Sequence, residues 1–355
     1  MKSGPTARAA PPAFDPNAAA SPENGIFGLP EDAKGAQVHV LGVPFDATTS
    51  FRKGTAGGPE AIRAASGQVD LYDHWNEKPY EAGIWMAPLD ARVRAWNEEA
   101  TRAAEPVIAA GGAGDDPRLR QAVARVDAIQ VELNRWVEAR ANEILDAKKL
   151  CALVGGDHSV PFGAIEAHAT RHPGLGLFHV DAHADLRPAY EGFTWSHASI
   201  LRNVAERIEG VATIVQVGIR DCSEQERDFI ADSNGRIRTL FDLDWADARH
   251  SGHNLKALVR RTLEPLPETV YVTFDVDGLE PALCPSTGTP VPGGLSWNEA
   301  MLWLDELVRS GRRIVGFDLN EVAPTPGLEL GAGWDQNVGA RLLYRLIGFA
   351  LRSRS

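Results

Sequence analysis

Residues 175–185 have the sequence Leu-Gly-Leu-Phe-His-Val-Asp-Ala-His-Ala-Asp, and this stretch decides the fold. The run 175–180 is almost wholly apolar, which indicates a strand buried on both faces of a parallel sheet. Asp181, His183 and Asp185 follow where that run ends. On an extended strand end, side chains spaced two residues apart point to one face, so we expect these three to converge.

The same kind of apolar run recurs along the chain and alternates with helical segments. Further strands are predicted at 37–43, 150–154, 212–218, 269–274 and 313–319. Helices are predicted at 118–148, 223–232, 254–263 and 296–310, and in a segment opened by Pro59. This alternation predicts an α/β fold with a mainly parallel sheet covered on both faces.

Length and composition favour one large domain. The chain has 355 residues, of which 44% are hydrophobic, enough for a sizeable core. We predict a single domain over 36–355 with a helical insertion around 83–148. Residues 1–35 are rich in Ala, Pro, Gly and Asn, and are predicted to form a flexible arm or a segment ordered only against a neighbouring subunit.

Charge and cysteine content restrict the partners and the compartment. The formal net charge of −12 disfavours nucleic acid and mildly favours a cationic ligand. No stretch approaches the length of a membrane span, so we expect no membrane partner. Cys151, Cys222 and Cys284 fit neither a disulfide framework nor a zinc-finger pattern, which favours a reducing, cytoplasmic location.

Three more motifs place polar side chains at the ends of predicted strands. His158 lies in GGDHS, Asp275 and Asp277 lie in DVD, and Glu321 closes FDLNE. Ligands of open parallel sheets collect at the carboxyl ends of the strands. We therefore expect these residues to meet the Asp181 motif in one crevice.

The two histidines and four aspartates of these motifs carry a formal charge of −4. Such a set cannot be gathered in a folded core without cations to offset it, and two divalent ions are the simplest compensation. A carboxylate can bridge two ions, and a water held between them loses a proton near neutral pH and becomes a nucleophile. The predicted ligands are His158, Asp181, His183, Asp185, Asp275 and Asp277.

Each motif alone has a simpler interpretation. His158 fits a loop or helix cap, the aspartates could bind backbone groups, and Glu321 fits a cap or an ion pair. Their joint occurrence at strand ends favours the metal site. His197, in Trp-Ser-His-Ala-Ser, is either a proton shuttle or a surface loop residue. The remaining histidines, including His179, receive no role.

Together the motifs resemble the ureohydrolases, the superfamily of arginase and agmatinase, over about residues 38–349. The resemblance rests on GTAGGPEAIR, GGDHS, DAHAD, SHAS, TFDVDGLEP and FDLNEVAP. It implies a three-layer α/β/α sandwich of arginase-like fold around the parallel sheet. It also implies a homotrimer or homohexamer, and a hetero-oligomer with a paralogue is left open.

The resemblance also implies roles for individual residues. One ion would be held by His158, Asp181, Asp185 and Asp275, and the other by Asp181, His183, Asp275 and Asp277. The metals would be manganese or, as in some relatives, nickel. Asp277 would stabilise the tetrahedral intermediate, His197 would shuttle the proton, and Glu321 would orient the guanidinium. A hydroxide would attack the guanidinium carbon, giving urea and an amine or ammonia.

Departures from the family pattern bear on the substrate. Ala198 follows His197 where many relatives have glycine, and no clamp for an amino-acid head group is recognisable in 186–194. Trp334 is expected to cap the pocket. We expect a small substrate such as guanidine, an alkylguanidine or a biguanide, with agmatine or 4-guanidinobutanoate as alternatives.

Two competing classes remain. The chain could be a non-catalytic partner subunit of an active paralogue, or a metal-dependent deacetylase of related fold with a single zinc. The complete set of six ligands argues against the first. The surplus of carboxylates argues against the second.

Overall fold

Apolar runs of the sequence form the strands of one parallel sheet in a computed structural model, which describes residues 14–21 and 24–354. The strands are β1 (Val38–Gly42), β2 (Ile84–Met86), β3 (Leu150–Val154), β4 (Leu175–Val180), β5 (Val211–Val217), β6 (Ile237–Leu240), β7 (Thr269–Asp275) and β8 (Arg313–Asn320). They are ordered β2-β1-β3-β8-β7-β4-β5-β6, and each neighbouring pair is parallel. The predicted parallel sheet is therefore confirmed.

Helices cover both faces of the sheet. They are α1 (Gly58–Ala65), α2 (Ala91–Ala109), α3 (Pro117–Asp146), α4 (Phe162–Arg171), α5 (Ile200–Arg207), α6 (Glu224–Asp232), α7 (Asp242–His250), α8 (Leu255–Leu263), α9 (Trp297–Arg309) and α10 (Trp334–Arg352). Neighbouring strand residues face opposite layers. Phe178 packs in a core cluster with α8, α9 and α10, whereas Leu177 packs in another with α4 and α5. The three-layer α/β/α fold is thus confirmed.

Local sequence sets where several helices begin. Ser223 and Ser296 each accept the backbone N–H of a glutamate three residues later, and that glutamate accepts the N–H of the serine in return. These capping boxes satisfy amide groups that an α-helix start leaves without partners. The helices at 224–232 and 297–309 therefore begin one residue after the predicted starts.

The range 83–148 holds the two long helices α2 and α3, which pack on each other. One apolar stripe of α3 faces the core at Val126, Ile129, Leu133 and Val137, all of them buried. No helix in the described ranges 14–21 and 24–354 is long and apolar enough to cross a membrane.

The segment before β1 departs from the predicted arm over 1–35. Residues 1–13, 22 and 23 lie outside the described part of the chain. Ile26, Phe27 and Leu29 are buried in the main core cluster. The amide of Phe27 donates to Ser66 Oγ at 2.8 Å, and its ring lies 4.9 Å from that of Tyr344. The segment around Ile26, Phe27 and Leu29 is therefore part of the folded domain, because burial of three large apolar side chains stabilises it there.

Candidate metal centre

Four adjacent strands bring the predicted motifs to one edge of the sheet. β3, β8, β7 and β4 lie side by side, and all run in the same direction. His158 follows β3, Asp181 follows β4, Asp275 ends β7 and Glu321 follows β8. Parallel strands present their carboxyl ends at a common edge, so motifs far apart in sequence meet there.

A first group of ligand atoms surrounds His158. Its Nδ1 lies 2.9 Å from Asp181 Oδ2, 3.2 Å from Asp185 Oδ2 and 3.4 Å from Asp275 Oδ2. His179 joins the group, because its Nε2 lies 2.8 Å from the same Asp181 Oδ2. All five side chains are buried. Four of them form a possible metal-binding set: His158, His179, Asp181 and Asp185.

A second group shares Asp181 with the first. His183 Nδ1 lies 3.1 Å from Asp277 Oδ2 and 3.5 Å from Asp181 Oδ1. These three residues form a second possible metal-binding set. Since the two oxygens of Asp181 belong to different groups, this carboxylate is placed to bridge them.

The donor atoms fit divalent cations. Two ligand atoms on one ion, with bonds of about 2.0–2.2 Å, stand about 3.0–3.5 Å apart at octahedral to tetrahedral angles. The separations of 2.9, 3.1, 3.2, 3.4 and 3.5 Å in the two groups are close to that range. Imidazole nitrogens mixed with carboxylate oxygens suit manganese, nickel, cobalt or iron. The six predicted ligands are thus brought together by the structure.

The backbone of the Asp181 motif is not the extended strand that the sequence suggested. β4 ends at Val180, and the His183 amide donates to Asp181 Oδ1 at 2.6 Å, as in a turn. Asp185 has a φ of 54°, in the left-handed region that a side chain disfavours. The ligands therefore do not share one face through alternation. The turn sends His183 toward Asp277 and leaves Asp185 beside His158.

The electrostatics of the edge show crowded negative charge. Burial, Asp277 and Asp181 raise the pKa of Asp275 well above its usual range. Burial and Asp181 raise the pKa of Asp185 to about 7. Burial alone would lower the pKa of His183, but Asp277 and Asp181 raise it to about 12. Carboxylates packed this closely need positive charge nearby, as bound cations would supply.

Buried polar residues behind the ligands fix their orientation. His158 Nε2 lies 2.8 Å from Thr273 Oγ1, which donates to Asp318 Oδ1 at 2.8 Å. The Nδ1 atom of His179 lies 3.0 Å from Gln216 Nε2. Outer partners of this kind set the ring orientation of metal-binding histidines. Sequence analysis missed His179, although it lies on β4 two residues before Asp181, a spacing that brings both side chains to one side of the chain.

A cavity of about 300 Å³ opens above the second group. We call it the acidic cavity, because its lining includes Asp185, Asp221 and Glu226 beside His183 and His197. His197 is buried, with Nδ1 3.4 Å from Thr48 Oγ1 and its ring against Tyr190 at 5.9 Å. Burial and the nearby His183 lower the pKa of His197 to about 3.

Trp334 does not line the acidic cavity, in contrast to its predicted position as a cap. It begins α10, is 54% exposed, and its indole N–H donates to the carbonyl of Ala282 at 3.0 Å. That hydrogen bond and the helix direction hold the ring at the surface.

Glu321 lies below the ligands, outside the lining of the acidic cavity. Its Oε1 accepts the amide of His158 at 2.9 Å, and its φ of 64° is left-handed. Its Oε2 is buried and has no hydrogen-bond partner among the described residues. A Cβ at Gly288 would stand 3.1 Å from Oε2, so the space there depends on that glycine. Burial, Asp275 and Asp157 raise the pKa of Glu321 well above its usual range.

The segment that carries Tyr190 and His197 is held by α2 and α3. Asp127 of α3 accepts the amide of Thr194 at 3.1 Å and that of Trp195 at 3.4 Å. Phe193 is buried in a cluster with residues of both helices. On the other side, Asn203 Nδ2 donates to the carbonyl of Thr194 at 2.8 Å. The two helices of the 83–148 range thereby position the wall of the acidic cavity.

Comparison with known proteins agrees with this architecture. The model of the Arginase family matches residues 36–347. The chain belongs to the arginase family. It is 33% identical over 313 residues to an N(1)-aminopropylagmatine ureohydrolase of Thermus thermophilus, covering 88% of this chain and 90% of that one. It is 31% identical over 321 residues to an agmatinase of Pyrococcus horikoshii, covering 90% and 94%.

A solved structure extends the likeness to three dimensions. Proclavaminate amidino hydrolase from Streptomyces clavuligerus superposes with a TM-score of 0.68 and 25% identity, covering 95% of this chain and 99% of that one. This confirms the arginase-like fold. The family confirms the predicted enzyme class, a hydrolase acting on C–N bonds of linear amidines.

Replacing the shared carboxylate tests the two-ion arrangement. We expect Asp181→Asn to lose both ions together, because one oxygen of Asp181 belongs to each group. Activity should fall by more than about 100-fold. Elemental analysis of the purified protein measures the change. Asp228→Asn, an exposed aspartate of α6, is the control and should keep its metal. A D181N protein with full metal content would contradict the shared role.

Removing the carboxylate of Asp127 tests how α3 positions the cavity wall. We expect Asp127→Ala to lower kcat about tenfold or more at unchanged metal content, since small displacements of positioned groups are costly. Asp127→Asn keeps an acceptor oxygen and should recover part of the loss.

The matched control is Glu99→Gln, which breaks the 2.7 Å ion pair of α2 with Arg125 of α3 but leaves the wall untouched. Its kcat should be that of the parent enzyme. An equal loss of kcat in E99Q and D127A would instead assign the effect to helix packing.

Proposed function

We propose that this chain is a binuclear metal-dependent ureohydrolase that cleaves a guanidino compound to urea and an amine or ammonia. The supporting observation is the pair of histidine and aspartate groups that share Asp181 beside a cavity lined by His197. The arginase-family match supports the same reaction class.

In this proposal the ligand side chains would hold two divalent cations. Asp181 and Asp275 would be shared between the two sites. His158 and Asp185 would complete one site, and His183 and Asp277 would complete the other. The bound cations would lower the pKa of a shared water and so supply the nucleophile. Asp277, whose Oδ2 lies 3.1 Å from His183 Nδ1, is proposed to stabilise the tetrahedral intermediate.

Glu321 is proposed to orient the guanidinium. One of its oxygens is fixed by the amide of His158, and the other is buried without a partner among the described residues. A buried acceptor of this kind requires an explanation, and a guanidinium N–H would satisfy it with a charge-assisted hydrogen bond. The Gly288 backbone leaves room at that oxygen.

His197 is proposed to carry the proton to the leaving nitrogen. Its Nδ1 is occupied by Thr48 Oγ1 and Ser196 Oγ, at 3.4 and 3.3 Å. This leaves Nε2 for the substrate side of the ring, because the residue lines the acidic cavity. The Tyr190 ring restricts rotation of the imidazole.

The substrate proposed first is a compact guanidine: guanidine, an alkylguanidine or a biguanide. Ala198 lines the acidic cavity and adds a methyl group next to His197. Arg187 also lines the wall, with its guanidinium 5.1 Å from the centre of the Tyr190 ring. Arg187 Nε also lies 3.6 Å from Glu226 Oε2, so it is the bulk of the paired side chain that favours a short substrate along that wall.

A second candidate is a longer substrate such as agmatine or 4-guanidinobutanoate. The names of the Thermus and Pyrococcus relatives favour agmatine derivatives for those proteins. In this chain, the exposed carboxylate of Asp221 lines the acidic cavity and could receive a distal amine.

The identity of the metal, the oligomeric state and the cellular location are also proposed. The ligand set suits manganese or nickel, and the family resemblance supports a homotrimer or homohexamer. A cytoplasmic location is proposed from the cysteine content, since all three cysteines are free thiols.

The substrate choice is tested by urea release from guanidine, methylguanidine, biguanide, agmatine, 4-guanidinobutanoate and arginine. We expect the highest kcat/KM on a compact guanidine. Asp221→Asn should then leave that value unchanged. If agmatine is preferred instead, D221N should raise its KM about two- to fivefold, as for an exposed ion pair. Best turnover on arginine would refute both candidates.

The role of Glu321 is tested with Glu321→Gln. The variant can still accept the His158 amide but lacks the negative charge for a guanidinium. We expect kcat/KM to fall about 10- to 100-fold with two ions still bound. Loss of metal in step with activity would show a structural role instead, and unchanged kcat/KM would remove Glu321 from the mechanism.

A further inference from the structure

A second cavity, of about 360 Å³, is lined almost entirely by cationic side chains. We call it the basic cavity. Its cationic lining residues are Lys148, Lys149, Arg171, His172, Arg313 and Arg354. No acidic residue of the described chain is part of its lining. Such a concentration is unexpected in a protein of formal net charge −12.

The basic cavity lies at the edge of the sheet opposite the metal centre. Arg313 begins β8, Lys149 directly precedes β3, and His172 lies between α4 and β4. β8 spans residues 313–320, which corresponds to roughly 23 Å at the usual rise per strand residue. The two cavities are therefore separate sites connected by the same strands.

Some of these cations have structural partners. Lys149 Nζ donates to the carbonyls of Lys34 and Ala36, and Arg354 donates to that of Val315 at 2.9 Å. Arg171 forms an ion pair with Asp146. The side chains of Lys148 and Arg313, both exposed, have no hydrogen bond or ion pair to another described residue.

Helix ends account for only part of the excess charge. α3, α4 and α10 end at Asp146, Arg171 and Arg352, and each helix end carries about half a negative charge. These ends and the Asp146 carboxylate oppose five lysine and arginine charges. The cationic lining residues therefore outnumber the Asp146 carboxylate and the partial charges of these helix ends.

The cations are close enough to act on one another. Burial lowers the pKa of the His172 imidazole, and Arg313, Arg354 and Arg171 lower it further. Arg313 also adds to the effect of burial in lowering the pKa of Arg354. These like charges repel one another in the free protein. An anion that binds among them relieves the repulsion, so the site favours anion binding.

We propose that the basic cavity binds a small polyvalent oxyanion, with two or more phosphate or carboxylate groups. Its volume falls within the range of small-molecule sites, about 300–1,000 Å³. Arginine forks and lysine ammonium groups are the usual recognition elements for such oxyanions. A nucleic acid is disfavoured, because the remainder of the chain is strongly acidic and would repel a long polyanion.

Isothermal titration calorimetry of the full-length, metal-loaded protein tests this site. The probes are inorganic pyrophosphate and tricarballylate, at ionic strength matched with sodium chloride. We expect saturable binding of one probe ion per chain. Stronger binding of one probe identifies the ligand as a polyphosphate or a polycarboxylate. Elemental analysis before and after each titration excludes heat from removal of the catalytic metal.

Two variants make the test specific. Arg313→Gln and Lys148→Gln each remove an exposed cation from the basic cavity, and each should weaken binding about tenfold or more. Arg238→Gln is the matched control, because it removes one positive charge from β6, where the side chain donates to the carbonyl of Gly235 and to no other residue in the described part of the chain. Its binding should equal that of the parent protein.

Absence of saturable binding at matched ionic strength would overturn the proposal. Equal weakening in R238Q and R313Q would also overturn it, because the effect would then come from net charge alone. Urea release is measured separately, so loss of oxyanion binding with full ureohydrolase activity is distinguishable from failure of the proposed reaction.

Discussion

The burial of several carboxylates at one edge of the sheet is the constraint on which the rest of the structure depends. Asp181, Asp185, Asp275 and Asp277 are all at most 4% exposed. Charges in such a site are tolerated only when cations and hydrogen bonds compensate them. The backbone around Asp181 is adapted to this packing. A Cβ at Gly278 would stand 2.7 Å from the amide nitrogen of Asp181, and one at Gly218 would stand 2.7 Å from its carbonyl oxygen.

Sequence periodicity was sufficient for the sheet but not for the conformations at its edge. Buried strands such as β3 and β4 have long apolar runs, so their bounds were predicted to the residue. β2 and β6 were not predicted as strands, because they have only three and four residues and lie at the two edges of the sheet. The Asp181 motif was predicted to be extended. After the strand ends, however, a hydrogen bond from the His183 amide to the Asp181 side chain turns the backbone, so the side chains no longer alternate between two faces.

Site residues could be predicted where an aspartate, glutamate or histidine follows a predicted strand. They could not be predicted where their contacts depend on tertiary packing. Nothing in the local sequence of α3 distinguishes Asp127 from other polar residues of the helix, because its partner amides are 67 and 68 residues away. Trp334 was predicted to cap the pocket, but its position is set by the start of α10. Likewise Ile26 and Phe27 lie in a stretch of loop-like composition, and only their burial shows that they belong to the core.

The parallel sheet also explains why opposite charges collect at its two edges. In an α/β sandwich, helices begin near the carboxyl ends of the strands and end near the amino ends. Partial positive charge at helix starts favours the aspartates of the metal edge, and partial negative charge at helix ends favours lysine and arginine at the other. At the metal edge the surplus negative charge requires cations. At the amino edge a positive surplus lies around Arg313 and Lys148, and an oxyanion would offset it as divalent ions would offset the aspartates.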